Sequence, residues 1–483
     1  MKLHLLCLFL LFCFAKPISA QNPIPTDSLL NGEKLIADLD SLKKTILETH
    51  VSPFTYCSEE SFNQAFEEAR SNVVKGMLYY DYLALVGKTL QVLRDSHTSL
   101  FYPALAQVHK ENGGLFVNMQ LFSVEGRSVY VKEDRTGILP QGVQLLRINE
   151  VNIDSLYQRN ADFSLYEGDS ENSFFAFNDA LFPPMIGVWT NLKRENTFEY
   201  QIPGSSDTLR AVYPGKTYKE WREFNKKRKV KTETYTLDFR QESKTAVLHI
   251  SSFSHPKSKK YYRFLRQSFR KIRKAEVDHL ILDLRGNTGG KSNRMEALLR
   301  YVSDDSLRIP NNIIAKSSAV SQKMHAKSFK GLHKYFLTHF NKKNEEVQNW
   351  LKIVSLESGS TDTVYYRDYG QEIKKPYQGK CSLLIDGQSA SATVNFAAGF
   401  RFLKRGVIYG SPCLGPYTGT WGNPAPYQLP NTKIKLSIST IRFNTTSTFD
   451  FERNNLVPDV LLKPNPRAWL EGIDNILELV VKQ

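Results

Sequence analysis

Cys381-Ser-Leu-Leu-Ile-Asp-Gly-Gln-Ser-Ala-Ser-Ala-Thr-Val-Asn-Phe-Ala-Ala-Gly-Phe400 is the stretch whose reading decides the fold. It reads as a buried strand, a turn of small residues, and then a helix. Such a turn sets a side chain at a helix N-terminus, where backbone N–H groups lack partners and the helix dipole favours negative charge. A serine there, Ser391, can attack a carbonyl beside a ready oxyanion site. Ser389 or Ser391 can equally well do no more than cap the helix, and the segment alone leaves both readings open.

The same order occurs upstream. Thr245 to Phe253 predicts a strand, Lys259 to Lys274 a helix, His279 to Leu284 a buried strand, and Lys291 to Tyr301 a helix. Short apolar strands each followed by a helix imply a mostly parallel sheet with its active edge at the strand C-termini. Asp283-Leu-Arg-Gly-Asn-Thr-Gly-Gly290 falls at that edge, and its paired glycines let main-chain N–H groups approach a ligand with no Cβ in the way. The loop lacks the phosphate-binding lysine pattern and the dinucleotide spacing, which argues against a nucleotide site. Asp283 and Arg285 are expected to support the loop. Residues 303–380 mix helical and Gly/Ser-rich pieces without a legible order.

Before this region the periodicity changes. From Ser28 to Leu93 apolar residues recur every three or four positions, which predicts a small helical region ending at Arg94-Asp-Ser-His-Thr98, with extended chain from Ser99. From Gly114 to Ile138 the period drops towards two, as in short strands. Leu139 to Ile153 is similar to the signature stretch of a PDZ domain, with Glu150 where that family usually has glycine. Residues 155–195 then read as an insertion rich in Phe, Tyr and Asn, Phe198 to Pro214 as strand, and Lys216 to Thr234 as a charged, exposed connector.

Composition narrows the classes. Met1-Lys2, an apolar run from Leu3 to Ala15 and Pro17-Ile-Ser-Ala20 have the order of a secretory signal peptide, so cleavage after Ala20 and a periplasmic or extracellular chain without a stable membrane anchor are expected. Only Cys57, Cys381 and Cys413 then remain, too few for a disulfide framework. No paired zinc-ligand spacing or His-Glu-x-x-His helix occurs, so neither a metal nor a cofactor is expected. The net charge of +15 raises anionic partners, but export argues against nucleic acid. The basic residues concentrate in Lys219 to Lys231 and Lys257 to Lys274, the latter reading as an amphipathic helix with a solvated basic face.

Three blocks taken together, Leu93-Arg-Asp-Ser-His-Thr98, His279 to Gly290 and Ser389-Ala-Ser-Ala-Thr393, resemble the tail-specific, or C-terminal processing, protease family, which includes the tricorn protease core. The resemblance runs from about Leu35 to the C-terminus. It implies a mixed α+β multidomain chain with a crotonase-like α/β protease core. The division it suggests is a signal peptide at 1–20, an N-terminal helical region at 21–105 ending in the His97 motif, a PDZ-like β-rich domain at 106–215 with the inserted segment 155–195, a connector at 216–240, and the core at 241–483.

By the same resemblance the nucleophile is Ser391, and the oxyanion hole is the backbone of Ala392 with Gly289 or Gly290. One branch of the family takes its general base from a lysine in a Gly-x-Pro-x-x-Gly-Lys stretch. Here Gly410-Ser-Pro-Cys-Leu-Gly-Pro416 has proline in that place, which excludes a Ser/Lys dyad. The tricorn-like branch uses a histidine after an N-terminal helix, a neighbouring serine and a late glutamate, which correspond to His97, Ser96 and Glu452. The stretch around Glu452 lacks the family's two glycines, and Asp450 is the fallback. His50, His249, His255 and His333 receive no role.

The expected function is an exported serine peptidase that acts through an acyl-enzyme on Ser391, with His97 as general acid and base. Its substrate would be a peptide or unfolded protein, with its C-terminus a possible point of capture. The competing reading is a peptide- or ligand-binding protein that keeps the fold without catalysis. A third is adhesion to anionic surface polymers through the basic helix.

Overall fold

The computed structural model describes residues 26, 28–73, 76–124, 128–168, 171–227, 234–254, 258–303, 312–328, 345–365, 375–416, 418–444 and 456–483. The expected leader with its cleavage site, Asp450, Glu452, His255 and His333 lie outside them.

Helices α1 (Gly32–Thr49), α2 (Glu59–Asn72) and α3 (Tyr79–Leu90) form the N-terminal region. Asn31 and Ser58 cap the first two by accepting the N–H groups of Lys34 and Ser61, each worth about 1 kcal/mol. The stripe Leu35, Leu39, Leu42 and Ile46 on α1 packs with Phe62, Phe66, Tyr82, Leu83 and Val86. Leu429, Ile434, Leu436 and Ile438, from the far end of the chain, complete the same core. Strand β1 (Ser99–Leu100) follows and pairs antiparallel in the register Ser99↔Ser437 and Leu100↔Leu436.

The β-rich, PDZ-like domain contains β2 (Met119–Val124), β3 (Ser128–Asp134), β4 (Gln144–Ile148), β5 (Val151–Asn152), β6 (Glu195–Gln201) and β7 (Thr208–Pro214). Its sheet runs β2-β3-β4-β6-β7, with β5 folded back on β4. That hairpin turns at Asn149, whose φ is 52°. Asparagine tolerates the left-handed region better than other non-glycine residues, so Asn149 takes the strained position next to Glu150. Residues 155–195 hold most of the helix Ile153–Ala161 and the helix Glu171–Trp189, whose Tyr157, Phe182 and Ile186 share a core with Val129, Val131, Leu145 and Ile148. The expected exposed connector contains a helix, Tyr218–Lys227, and its Trp221 Nε1–H donates to the Val117 carbonyl at 2.9 Å.

The rest of the chain supplies β8 (Tyr235–Arg240), β9 (Thr245–Ile250), β10 (His279–Asp283), β11 (Asn312–Lys316), β12 (Thr361–Tyr365), β13 (Lys380–Ile385), β14 (Val407–Gly410), β15 (Gly419–Gly422), β16 (Ala425–Gln428), β17 (Lys435–Ile438), β18 (Ile441–Asn444) and β19 (Val460–Leu461). One sheet runs β19-β14-β13-β10-β9-β8, parallel except for β8 at its edge. Every residue of β10 is buried, as a central parallel strand covered on both faces requires. On one face Tyr261, Leu265 and Phe269, Met295 and Leu298, and Phe396 and Phe400 pack down from three helices, while Ile476 and Val480 meet Val247, Ile281 and Leu384 on the other.

The expectation of a crotonase-like core is corrected here. Beside the six-stranded sheet the same part of the chain builds two antiparallel ones, β12-β11-β18-β15 and β1-β17-β16, the second completed by a strand from the N-terminal region. The fold is instead a mixed α/β multidomain one, with an N-terminal helical region and a β-rich PDZ-like domain. Pairings such as Ser99 with Ser437 carry no local periodicity, so the strand-helix alternation of the core alone suggested too simple an architecture. Among the described residues no helix is long and apolar enough to cross a membrane.

Candidate active site

Ser391 stands between β13 and the helix Ala392–Phe402, with φ 54° and ψ −121°. A non-glycine residue in that region costs of order 1–3 kcal/mol and persists only where its surroundings fix it. Here they do. Ala390 N–H donates to the Asn287 carbonyl at 3.1 Å, Leu414 N–H to the Ser389 carbonyl at 3.0 Å, and Ser389 Oγ to the Leu284 carbonyl at 3.0 Å. The Asp386 carboxylate accepts Gly286 N–H at 2.9 Å, tying the two loops together. Ser389 is thus a buried strut of the turn, whereas Ser391 is partly exposed and its hydroxyl has no hydrogen-bond partner among the described residues.

The loop 286–290 presses against this turn. Gly289 has φ 93°, and a Cβ built on it would lie 2.8 Å from Ser391 Cβ and 2.9 Å from Ala392 N. Only glycine permits that approach. Gly289 N–H is taken up by Asn287 Oδ1 at 2.9 Å, whereas the N–H groups of Gly290 and Ala392 have no partner among the described residues. At the strand end, Arg285 donates to Asp283 and to Asp474, both at 2.7 Å, and so braces the loop from behind. Although burial alone would raise the Asp283 carboxyl, Arg285 outweighs it and holds the group well below the usual range.

His97 follows α3 in a loop fixed from several sides. Its carbonyl accepts from Ser437 Oγ at 2.8 Å, and its N–H donates to Asp95 Oδ1 at 2.8 Å. Buried Asp95 also accepts from Thr98 Oγ1 at 2.6 Å and from His50 Nε2 at 2.9 Å. His50 Nδ1 in turn accepts Ser52 N–H at 3.1 Å, which leaves Nε2 to donate to Asp95. Burial would raise Asp95, but its bonds from His50 and His97 hold it well below the usual carboxylate range.

The His97 side chain is 22% exposed, and the polar groups beside it lie on the Nδ1 side: Ser96 Oγ at 3.4 Å, Glu167 Oε2 at 3.6 Å and Asp95 Oδ1 at 3.7 Å. Nε2 has no partner among the described residues. Burial lowers the imidazole's pKa, yet the nearby carboxylates of Asp95 and Glu167 carry it above its ordinary value. A neutral ring held through Nδ1–H, with the Nε2 lone pair open, is the arrangement a general base requires.

Of the residues singled out in the sequence, Ser96 and His97 therefore lie together, and Ser391, Ala392, Gly289 and Gly290 form a second group. Contacts of the segment 163–168 link the two groups. Leu165 packs against Ala390 and Leu414, while a Cβ on Gly415 would lie 3.4 Å from Glu167 Oε1 and 3.3 Å from Val394 Cγ2, one helical turn beyond Ser391. No hydrogen bond joins His97 to Ser391 among the described residues, and Glu452 and Asp450 lie outside them. Two residues of the His97 cluster carry no role in the sequence reading: His50, bound to Asp95, and Glu167, bound to Ser96 within the segment 155–195. The available signal for Glu167 was an acid flanked by apolar residues, in Phe163-Ser-Leu-Tyr-Glu-Gly168.

Asp95, His97 and Glu167 place one potential ligand atom each within 4.8 Å of one another, which is metal-ligand spacing. The Asp95 oxygens already accept three hydrogen bonds, so the donor set fits an oriented histidine better than a cation.

The family model described as peptidase family S41 matches residues 244–462. No curated protein matches the chain. Among solved structures, a mutant of CPAF is similar with a TM-score of 0.64 and 12% identity, over 93% of this chain and 97% of that one. Mature CPAF is similar at 0.56 and 12%, over 93% and 98%, and its complex with lactacystin at 0.56 and 12%, over 93% and 99%. At that identity the likeness speaks for the fold alone. It covers nearly the whole of each chain, so the shared fold is the multidomain mixed α/β one and not a crotonase-like core.

Proposed function

The chain belongs to peptidase family S41 and is a serine-type peptidase, and from that premise we propose that it cleaves peptide bonds through an acyl-enzyme on Ser391, with His97 as general acid and base. The observation that carries this reading is the backbone of Ser391, a non-glycine residue held at φ 54° at the start of a helix with its hydroxyl unpartnered among the described residues. Strain of that kind serves to present a nucleophile.

In this reading an extended peptide lies with its carbonyl over Ser391, aligned by main-chain hydrogen bonds of the kind a sheet edge offers. His97 Nε2 removes the hydroxyl proton as Oγ attacks. The tetrahedral oxyanion is held by Ala392 N–H and Gly290 N–H, while Gly289, whose N–H is occupied, allows the two segments to come together. His97 then protonates the leaving amine, and a water activated by the same ring releases the acyl group. The PDZ-like domain supplies a place to capture the substrate's C-terminus. Export with cleavage after Ala20 completes the reading, and N-terminal sequencing of the secreted protein tests it.

The test of the chemistry is hydrolysis of an unfolded protein followed by mass spectrometry of the products. Wild type is expected to cleave, and Ser391→Ala, folded to the same melting temperature, to be inert. Equal cleavage by both would remove Ser391 from the mechanism, whereas binding without cleavage by wild type would favour the non-catalytic binder.

A further inference from the structure

Glu167 is 1% exposed, a carboxylate withdrawn from water in a segment that contributes nothing else ionisable to the site. Its Oε2 accepts a hydrogen bond from Ser96 Oγ, and its buried Oε1 has no hydrogen-bond partner among the described residues. Ser96 Oγ lies 3.4 Å from His97 Nδ1. A serine hydroxyl has one proton, so if it is given to Glu167 the oxygen is free to accept from Nδ1–H. The chain His97 Nδ1–H, Ser96 Oγ–H, Glu167 carboxylate is then a complete relay of donors and acceptors. Asp95 is no substitute: its Oδ1 is 3.7 Å from Nδ1 and its oxygens are taken up by His97 N–H, His50 and Thr98.

We propose that Glu167 is the positioning carboxylate of this site, acting on His97 through the Ser96 hydroxyl. It fixes the proton on Nδ1, leaves Nε2 for the Ser391 hydroxyl, and steadies the imidazolium formed in the reaction. The inference rests on the reading of His97 as general base and adds a residue from outside the motif blocks. It also makes the PDZ-like side of the molecule part of the site, because Glu167 lies between that domain's two helices. The segment is seated by Gly168 N–H on the Arg94 carbonyl at 3.1 Å and by Gln91 Nε2 on the Ala161 carbonyl at 2.9 Å.

His97, Ser96 and Arg442 favour the ionised form this role needs, while burial and Asp95 oppose it. Glu167 faces His97 and Asp95 from the α3 side and Arg442 from β18, and burial raises its carboxyl to about 7 against the lowering effect of His97, Ser96 and Arg442. His97 faces Asp95 and Glu167.

The test is a titration of the His97 ring by ¹⁵N NMR in the full chain carrying Ser391→Ala, compared with the same chain carrying Glu167→Gln or Glu452→Gln. The proposal expects Glu167→Gln to lower the His97 pKa by about one unit or more, and Glu452→Gln to leave it in place. In the otherwise wild-type enzyme Glu167→Gln is expected to reduce kcat about 100-fold or more with KM nearly unchanged, and to move the basic rise of the pH–rate profile to lower pH. An unmoved titration and an unmoved profile overturn the proposal. Should Glu167→Gln not fold, Ser96→Ala severs the same relay, and an unchanged His97 pKa there is equally fatal. The NMR result reads the coupling whether or not the enzyme turns over. Full turnover by His97→Ala would defeat the general-base reading separately.

Discussion

Replacing Gly289 by alanine puts a methyl group where three atoms already stand. The new Cβ would lie 2.6 Å from the Ala390 carbonyl oxygen, 2.8 Å from Ser391 Cβ and 2.9 Å from Ala392 N. All three belong to the backbone or to a Cβ, so no change of rotamer relieves the clash. The φ of 93° adds strain of order 1–3 kcal/mol for a residue with a side chain, and overpacking typically adds about 1–3 kcal/mol more. The total, roughly 2–6 kcal/mol, is either lost from stability or relieved by the turn moving away. Movement displaces Ala392 N–H, and loss of one oxyanion donor costs about 10²–10³ in kcat. The assay is urea unfolding alongside peptide hydrolysis, with Gly286→Ala as control. Gly286 has φ 70° but nothing within 4 Å of its Cβ position, so it isolates the backbone cost of about 1–2 kcal/mol. Gly289→Ala is expected to lose far more activity than the control. If the two variants behave alike in both measurements, the packing argument for the oxyanion loop is wrong.

Acid should destabilise the protein through Asp95 and Asp283, whose folded pKa values are depressed. Their contribution is present above the unfolded value near 3.9 and fades as pH falls below it, which denaturant melts from about pH 5 to 2 check. Glu167 works in the opposite sense: with its carboxyl raised to about 7, stability declines as pH rises from about 4.3 to about 7, and Glu167→Gln flattens that stretch of the curve. Burial pushes the Cys381 thiol up to about 12 and raises Cys413 as well, so both should resist alkylation until the chain unfolds, as mass mapping would reveal. Asn149→Ala should cost about 1–2 kcal/mol in a urea melt, because alanine lacks asparagine's tolerance of φ 52°.

The elements that frame the site were legible because their physics is local. The runs Thr245 to Ile250, His279 to Asp283 and Cys381 to Ile385 are short and apolar, each followed by a helix, and they are neighbours in one sheet. The paired glycines after β10 have positive φ values, and Gly289 lies close against the Ser391 turn. The helix Glu171–Trp189 was obscured by Pro183 and Pro184 within it, which sequence rules treat as breakers. The pairing of β1 with β17 joins the two ends of the chain and leaves no periodic trace. Glu167 was illegible for a related reason. An acid among apolar residues reads as a surface interruption until the fold buries it against His97 and Ser96.

The central claim, that His97 activates Ser391, is tested most directly by the rate and site of fluorophosphonate labelling near pH 7 in wild type and His97→Ala, mapped by peptide mass. The account predicts one adduct, on the peptide bearing Ser391, formed about 100-fold or more slowly without the imidazole. An adduct on another residue, or an undiminished rate in His97→Ala, would contradict it.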